Sequence, residues 1–319
     1  MQRYVKWLAV ASAVVMVLVI IQGSLVTTTG SAEGCGNSWP LCHGKFIPAY
    51  TIETAFEYSH RLITSVAAFL IIATSVGALR YYRHRLEIRL FVPIMLFFLF
   101  LQAGLGAAAV MWPQSDEVKA LHFGISLIAL ASTALTAAFL FGIDGADRLR
   151  DRPVPRGFVW TIWGLAAYTY VVVYIGAYVR HADASLACAD WPLCNGSVFP
   201  GFSGPVGIIF THRVFAGVLV LAVGALLYWT AKMRATRPDL YWASVVATGL
   251  VVAQSVSGAS VVWARMDIFA RMSHSILVSI FFSVLAYMCV HVLPRPASAR
   301  QAVLAEPAGQ RGGVAQPVT

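Results

Sequence analysis

The sequence predicts an all-α polytopic membrane protein built as two tandem four-helix bundles, and three observations carry that expectation. Of 319 residues 59% are hydrophobic and only 12% are charged, more apolar than a water-soluble domain of this length sustains. Eight long uncharged stretches divide the chain. The last four stretches repeat the residue pattern of the first four at a nearly constant offset.

The stretches run from Trp7 to Val26, Leu62 to Leu79, Leu90 to Ser115, Ala120 to Ile143, Gly157 to Val179, Val214 to Ala231, Leu240 to Ala264 and Met272 to Pro294. Each is 18 to 26 residues long, and about 20 apolar residues in a helix cross the hydrocarbon core of a bilayer. The first could be mistaken for a cleaved signal ahead of a lipoprotein cysteine. It is too long for a signal h-region and ends nine residues before Cys35, so it is read as a true span.

The formal net charge of +9 raises the question of nucleic acid, and the placement of the basic residues answers it. Arg3 and Lys6 precede the first span. Arg80, Arg83, Arg85 and Arg89 follow the second, Arg148, Arg150, Arg152 and Arg156 the fourth, Lys232, Arg234 and Arg237 the sixth, and Arg295, Arg300 and Arg311 the eighth. These 16 of the 23 Lys and Arg fall in alternate connections, which places those connections and both termini in the cytoplasm. The charge is a topology signal and no nucleic-acid partner is expected. The tail, residues 294–319, is rich in Ala, Pro, Gly and Gln and is expected to be disordered.

The repeat organises the chain. Trp39-Pro40-Leu41-Cys42 recurs as Trp191-Pro192-Leu193-Cys194, His60-Arg61 as His212-Arg213, Gln102 and Gly106 as Gln254 and Gly258, and His122 as His274, all 152 residues apart. Cys35 and Cys188 are 153 apart, because the first loop is one residue longer between its cysteines. The expected units are therefore an N-terminal bundle over residues 1–141, a cytoplasmic linker over 142–157 and a C-terminal bundle over 158–293. Four spans per unit is an even number, so both units enter the membrane in the same direction. A pseudo-twofold axis along the membrane normal follows.

Four histidines fall in the repeat near the outer ends of spans: His60, His122, His212 and His274. Two imidazoles at one depth on two helices of one bundle suit the axial positions of a haem iron. A lone intramembrane histidine would ordinarily be read as a polar contact between helices. Two pairs with the same spacing of 62 residues argue otherwise. Zinc is disfavoured because no third ligand repeats at a compatible depth. His43, His84, His181 and His291 lack counterparts and are read as surface or interfacial residues.

Arg61 and Arg213 follow the first histidine of each pair, and Lys119 and Arg271 lie one turn outward of the second. They put positive charge on the side where topology disfavours it. Haem propionates are one explanation, and snorkelling to outer headgroups is the other. The halves differ at Glu57, three residues before His60, whose repeat mate is Ile209. An acidic group at the edge of an apolar bundle is costly without a role. Proton transfer or stabilisation of positive charge on a reacting carbon would be such a role, and pairing with Arg61 is the structural alternative. The first half is accordingly expected to be catalytic and the second a permanent redox site.

Cys35 with Cys42 and Cys188 with Cys194 lie in the two long outer connections, where an oxidising exterior and short spacing favour a disulfide in each. Cys289, alone on the last span, is read as packing.

With these residues in place, the chain resembles the haem A synthase family, of the bacterial type with two cysteine pairs, over residues 1–293. The resemblance rests on Glu57-Tyr58-Ser59-His60-Arg61, Thr211-His212-Arg213, His122, His274, the doubled Trp-Pro-Leu-Cys loops and the duplicated four-helix plan. It implies oxidation of the C8 methyl of haem O to a formyl group, giving haem A for cytochrome oxidase in the cell membrane. It further implies haem b between His212 and His274 as cofactor, with Arg213 and Arg271 beside it, and haem O between His60 and His122, with Arg61 and Lys119 nearby and Glu57 at the methyl. A protoheme farnesyltransferase, the haem O synthase, is the implied supplier and a physical partner. An external electron-transfer partner is also implied, and the sequence leaves its identity and any homo-oligomer open. The rival readings are a di-haem cytochrome b that only relays electrons, a haem carrier and a quinone-linked disulfide oxidase. The cytochrome would hold both haems permanently and would not need Glu57 in one half alone, the carrier would release its haem unchanged, and the disulfide oxidase would not need four histidines.

Overall fold

The structure, a computed structural model, describes residues 1–112, 114–141 and 147–293. Eight helices follow one another: α1 (Gln2–Thr28), α2 (Ile52–Tyr82), α3 (Leu86–Met111), α4 (Asp116–Phe141), α5 (Arg156–His181), α6 (Gly204–Lys232), α7 (Pro238–Trp263) and α8 (Ile268–His291). All eight are long and apolar enough to cross a membrane, and the described residues contain no strand. The expected linker is described from residue 147 onward, where a short 3-10 turn spans Asp147–Asp151. Residues 142–146 and the tail expected to be disordered, 294–319, lie outside the described residues.

Helices α2 and α6 begin ten residues before the uncharged stretches that mark them in the sequence. Their polar outer turns, which carry Glu57, His60, Arg61, His212 and Arg213, are continuous helix. Thr51 caps α2 by accepting the N–H of Thr54 at 3.1 Å. Pro205 sits in the first turn of α6, where the N–H it lacks would have no helical partner.

Helix α1 packs on α2 and α4, and α3 packs on the same two, which closes a ring of four; α5 to α8 close the same ring. The first ring buries Met16, Ile71, Ile88 and Met95, the second Phe158, Val223, Leu240 and Phe281. Between the rings α4 packs on α5 and α8, and α1 on α8. Exchanging the halves turns the α4–α5 contact into α8–α1 and leaves α4–α8 unchanged. Leu127 and Ala131 with Val173 and Phe282 form the core of this seam.

In lipid, helices associate through packing and interhelical hydrogen bonds, the latter worth about 1 kcal/mol each. Ser12 on α1 meets Thr74 on α2 at 2.8 Å, and Thr230 on α6 meets Ser244 on α7 at 2.5 Å. The outward faces repeat as well. Leu62, Val66 and Phe69 on α2 and Val214, Val218 and Leu221 on α6 are all exposed and lie at helical spacing.

At the end where the basic residues gather, Arg85 donates to the Phe139 carbonyl at 2.9 Å, and its repeat mate Arg237 donates to the His291 carbonyl at 2.7 Å. Arg237 is fully buried and makes a bidentate pair with Asp239 at 3.0 and 2.7 Å. Arg150 spans both halves, bonding Glu87 at 2.7 Å and the Leu293 carbonyl at 3.3 Å. These arginines therefore tie helix ends together. His291 departs from the sequence expectation: it is buried, not at the surface. It occupies the repeat position of Phe139, with Nδ1 3.4 Å from Asp239 and its ring stacked on Tyr287.

Candidate functional site

His60 and His212 each lie eight residues into their helices, and His122 and His274 six residues into theirs. At about 1.5 Å of rise per residue those depths are roughly 12 and 9 Å, matched between the halves. Within each half the two imidazoles are in electrostatic reach of one another, His60 with His122 and His274 with His212.

Each ring lies against a glycine of the adjoining helix. A Cβ added to Gly23 on α1 would stand 3.2 Å from His60 Cε1, and one added to its repeat mate Gly176 on α5 would stand 2.6 Å from His212 Cε1. The corresponding distances are 3.8 Å for Gly106 to His122 and 3.1 Å for Gly258 to His274. The rings occupy these places because the glycines have no side chain. Gly106 and Gly258 stand out in the repeat, whereas Gly23 and Gly176 lie among other small residues of their helices. The offset of 153 that holds ahead of the first cysteines pairs them as well.

The donor set fits a haem better than a metal ion held by protein alone. Among the described residues no three His, Cys, Asp or Glu converge. A haem iron needs two axial ligands, because the porphyrin supplies four nitrogens. The Nδ1 atoms of His60, His122 and His212 are buried without a hydrogen-bond partner. His274 differs. Ser257 Oγ lies 2.9 Å from its Nδ1, and the Gln254 amide nitrogen lies 3.1 and 3.2 Å from its two ring nitrogens.

Both arginines that follow a histidine reach upward into the outer loops. Arg61 donates to the carbonyls of Ser38 at 2.7 Å and Leu41 at 3.0 Å. Arg213 donates to those of Leu193 at 2.5 Å and Cys188 at 3.3 Å. In this structure they brace the loops that the disulfides Cys35–Cys42 and Cys188–Cys194 close. Glu57 is buried; one oxygen accepts the Cys35 N–H at 2.7 Å and the other pairs with Arg61. No equivalent clamp exists at Ile209, which is packed in an apolar cluster with Cys188 and Cys194.

The outer cations are disposed unequally. Lys119 pairs with Asp116 at 3.5 Å, both half-exposed, whereas Arg271 keeps a buried Nε without a partner. Arg180 on α5, which the sequence did not single out, donates to the Ser24 carbonyl at 3.0 Å and to Thr28 Oγ1 at 2.5 Å, both on α1. It lies in electrostatic reach of Arg271. In the second loop the N–H groups of Gly196 and Asn195 hold Asp190 below the ordinary carboxylate range. Cys289 is buried in the core of the second half, as expected of a packing residue.

A family described as "Cytochrome oxidase assembly protein", COX15-CtaA, matches residues 6–286. Proteins named heme A synthase are similar over almost the whole chain. One from Alkalihalophilus pseudofirmus is 39% identical across 93% of this chain and 99% of its own length. Relatives from Symbiobacterium thermophilum and Halalkalibacterium halodurans are 41% and 40% identical, each across 92% of this chain, covering 96% and 99% of their own lengths.

Proposed function

We propose, from the premise that this chain belongs to the COX15-CtaA family of cytochrome oxidase assembly proteins, that its two halves divide one reaction between them. The chain is a haem A synthase, a multi-pass oxidoreductase of the bacterial cell membrane that converts haem O to haem A. In the proposed division, residues 1–141 hold haem O between His60 and His122, and residues 158–293 keep haem b between His212 and His274. A pseudo-twofold axis along the membrane normal relates them, with both termini inside. The gathering of basic residues at one end supports that orientation.

A bound haem b supplies one-electron exchange with a redox partner. The protein residues do the rest. His212 and His274, each set against a glycine, would hold the cofactor, and His60 and His122 would hold the substrate. Lys119 and Arg271 give the outer rim a positive charge suited to propionates. Arg61 and Arg213 contribute to it while holding the loops above. Glu57 is the catalytic group. The Cys35 N–H and Arg61 orient its carboxylate one turn from His60, where it would take up a proton released as the C8 methyl is oxidised, the electrons leaving to the external redox partner, or balance positive charge on that carbon. A protoheme farnesyltransferase supplies the substrate, and an external partner exchanges electrons with the second half.

One observation carries this reading: two histidine pairs share depth, spacing and glycine contacts, yet only the first has a buried carboxylate beside it. Extraction of the pigments from purified protein, with identification by mass, tests it. Haem b together with haem O, its alcohol or haem A is the expected result. Haem b alone, at two per chain, would instead identify a cytochrome that only relays electrons.

A further inference from the structure

We propose that Ser257 is the positioning residue that makes the second half's haem site permanent, and that its apolar repeat mate Leu105 leaves His122 as the releasable ligand of the substrate. The inference rests on the assignment of haem b to His212 and His274.

Ser257 on α7 is buried, and its Oγ donates to the Gln254 carbonyl at 2.8 Å while lying 2.9 Å from His274 Nδ1. A hydroxyl carries one proton and two lone pairs. With the proton committed to Gln254, the oxygen can only accept from an Nδ1–H. This fixes the tautomer of His274 and leaves the lone pair on Nε2, the atom that would bind iron in place of its 3.2 Å contact with the Gln254 amide nitrogen. An acceptor on Nδ1–H also makes an imidazole a better donor and holds its plane, which is how partners of a ligating histidine strengthen a metal site. Gly258 adds a steric limit: a Cβ there would stand 3.1 Å from the ring.

The first half lacks each of these restraints on His122. Residue 105, at the place of Ser257, is leucine and offers no acceptor. The amide of Gln102, repeat mate of Gln254, donates to the His122 backbone carbonyl at 2.7 Å and not to the ring. Nδ1 of His122 is buried without a partner, and Gly106 stands off at 3.8 Å. His60 is held more closely, with Gly23 at 3.2 Å. A cofactor has to stay and a substrate has to enter and leave as product, so both ligands in the first half must let go in each turnover, the less restrained one first. His122 is the less restrained of the two.

The test uses full-length purified protein with excess apomyoglobin as the haem acceptor. Haem b loss is followed optically, and its midpoint potential is measured in the same samples. Ser257→Ala is expected to lose haem b roughly 10–100-fold faster, and its midpoint potential should rise because the imidazole donates less to the iron. Ser257→Thr, which retains the hydroxyl, should keep both wild-type values. Leu105→Ser should slow the capture of haem O from the first half. Wild-type rates and potential in Ser257→Ala would overturn the role of the serine, and unchanged haem O capture in Leu105→Ser would overturn the role of the leucine. A His274→Ala protein that retained haem b would instead refute the ligand assignment beneath the proposal, an outcome separate from a silent Ser257→Ala.

Discussion

The two outer loops, one over each half, have the same cysteine closure and the same arginine brace, but different attachments beneath. In the first, the Cys35 N–H is tied to Glu57, which Arg61 also holds. In the second, the place of Glu57 is taken by Ile209, packed against the loop's own cysteines. What repeats is scaffold: helix ring, glycine contacts, disulfide, arginine brace. What fails to repeat bears on the proposed division of labour. Three such positions are Glu57 against Ile209, Leu105 against Ser257 and Phe139 against His291.

The largest expected effect comes from removing the asymmetric carboxylate. Glu57→Gln keeps the volume and hydrogen-bonding reach but cannot accept a proton. Haem A formation in cells lacking another copy should fall by about 10²–10⁴-fold, with haem b retained at His212 and His274. The reciprocal change, Ile209→Glu, should create no activity. Undiminished haem A from Glu57→Gln would make the carboxylate a loop anchor and nothing more.

Much of this comparison was legible in the sequence, because an offset of 152, or 153 ahead of the first cysteines, relates the matching residues of the two halves. The eight spans followed from lipid, which demands long uninterrupted apolar helices. Other features are hidden from hydropathy. The outer turns of α2 and α6 are too polar to be counted as span, although capping and the loop contacts keep them helical. Gly23 and Gly176 look like ordinary small residues until a ring is seen against them. Arg61 and Arg213, expected beside propionates, bond to loop carbonyls that no sequence pattern announces. Arg150 and Arg237 carry a topology signal that conceals their burial.

Smaller effects sharpen the comparison of the loops. Replacing Cys35 and Cys42 by serine removes a short cross-link worth about 2–3 kcal/mol to the region it closes, and it should lower haem A yield because the loop anchors Glu57. Replacing Cys188 and Cys194 should destabilise the second loop by a similar amount without touching a carboxylate. In the untreated protein, alkylation under denaturing, non-reducing conditions should label Cys289 alone. Labelling of all five cysteines would contradict the closure of both loops.

The smallest effect concerns acid. Asp190, whose carboxyl is held below its ordinary value by the Gly196 and Asn195 amides, orders the second loop, whereas Ser38 occupies its place in the first. A depressed carboxylate contributes its stability above the unfolded value and loses it as pH falls through the folded one. Amide exchange at Asn195 and Gly196 should therefore gain protection above about pH 4 that is lost on further acidification. The corresponding amide of His43, bound to a serine hydroxyl at 2.7 Å, should show no such step.

The central claim, that one half keeps a cofactor and the other handles a substrate, is tested most directly by extracting pigments from His212→Ala and His60→Ala proteins purified side by side. The account predicts that His212→Ala lacks haem b and that His60→Ala contains haem b but no haem O or haem A. Equal haem b in the two variants, or haem O retained in His60→Ala with haem b lost, would contradict it.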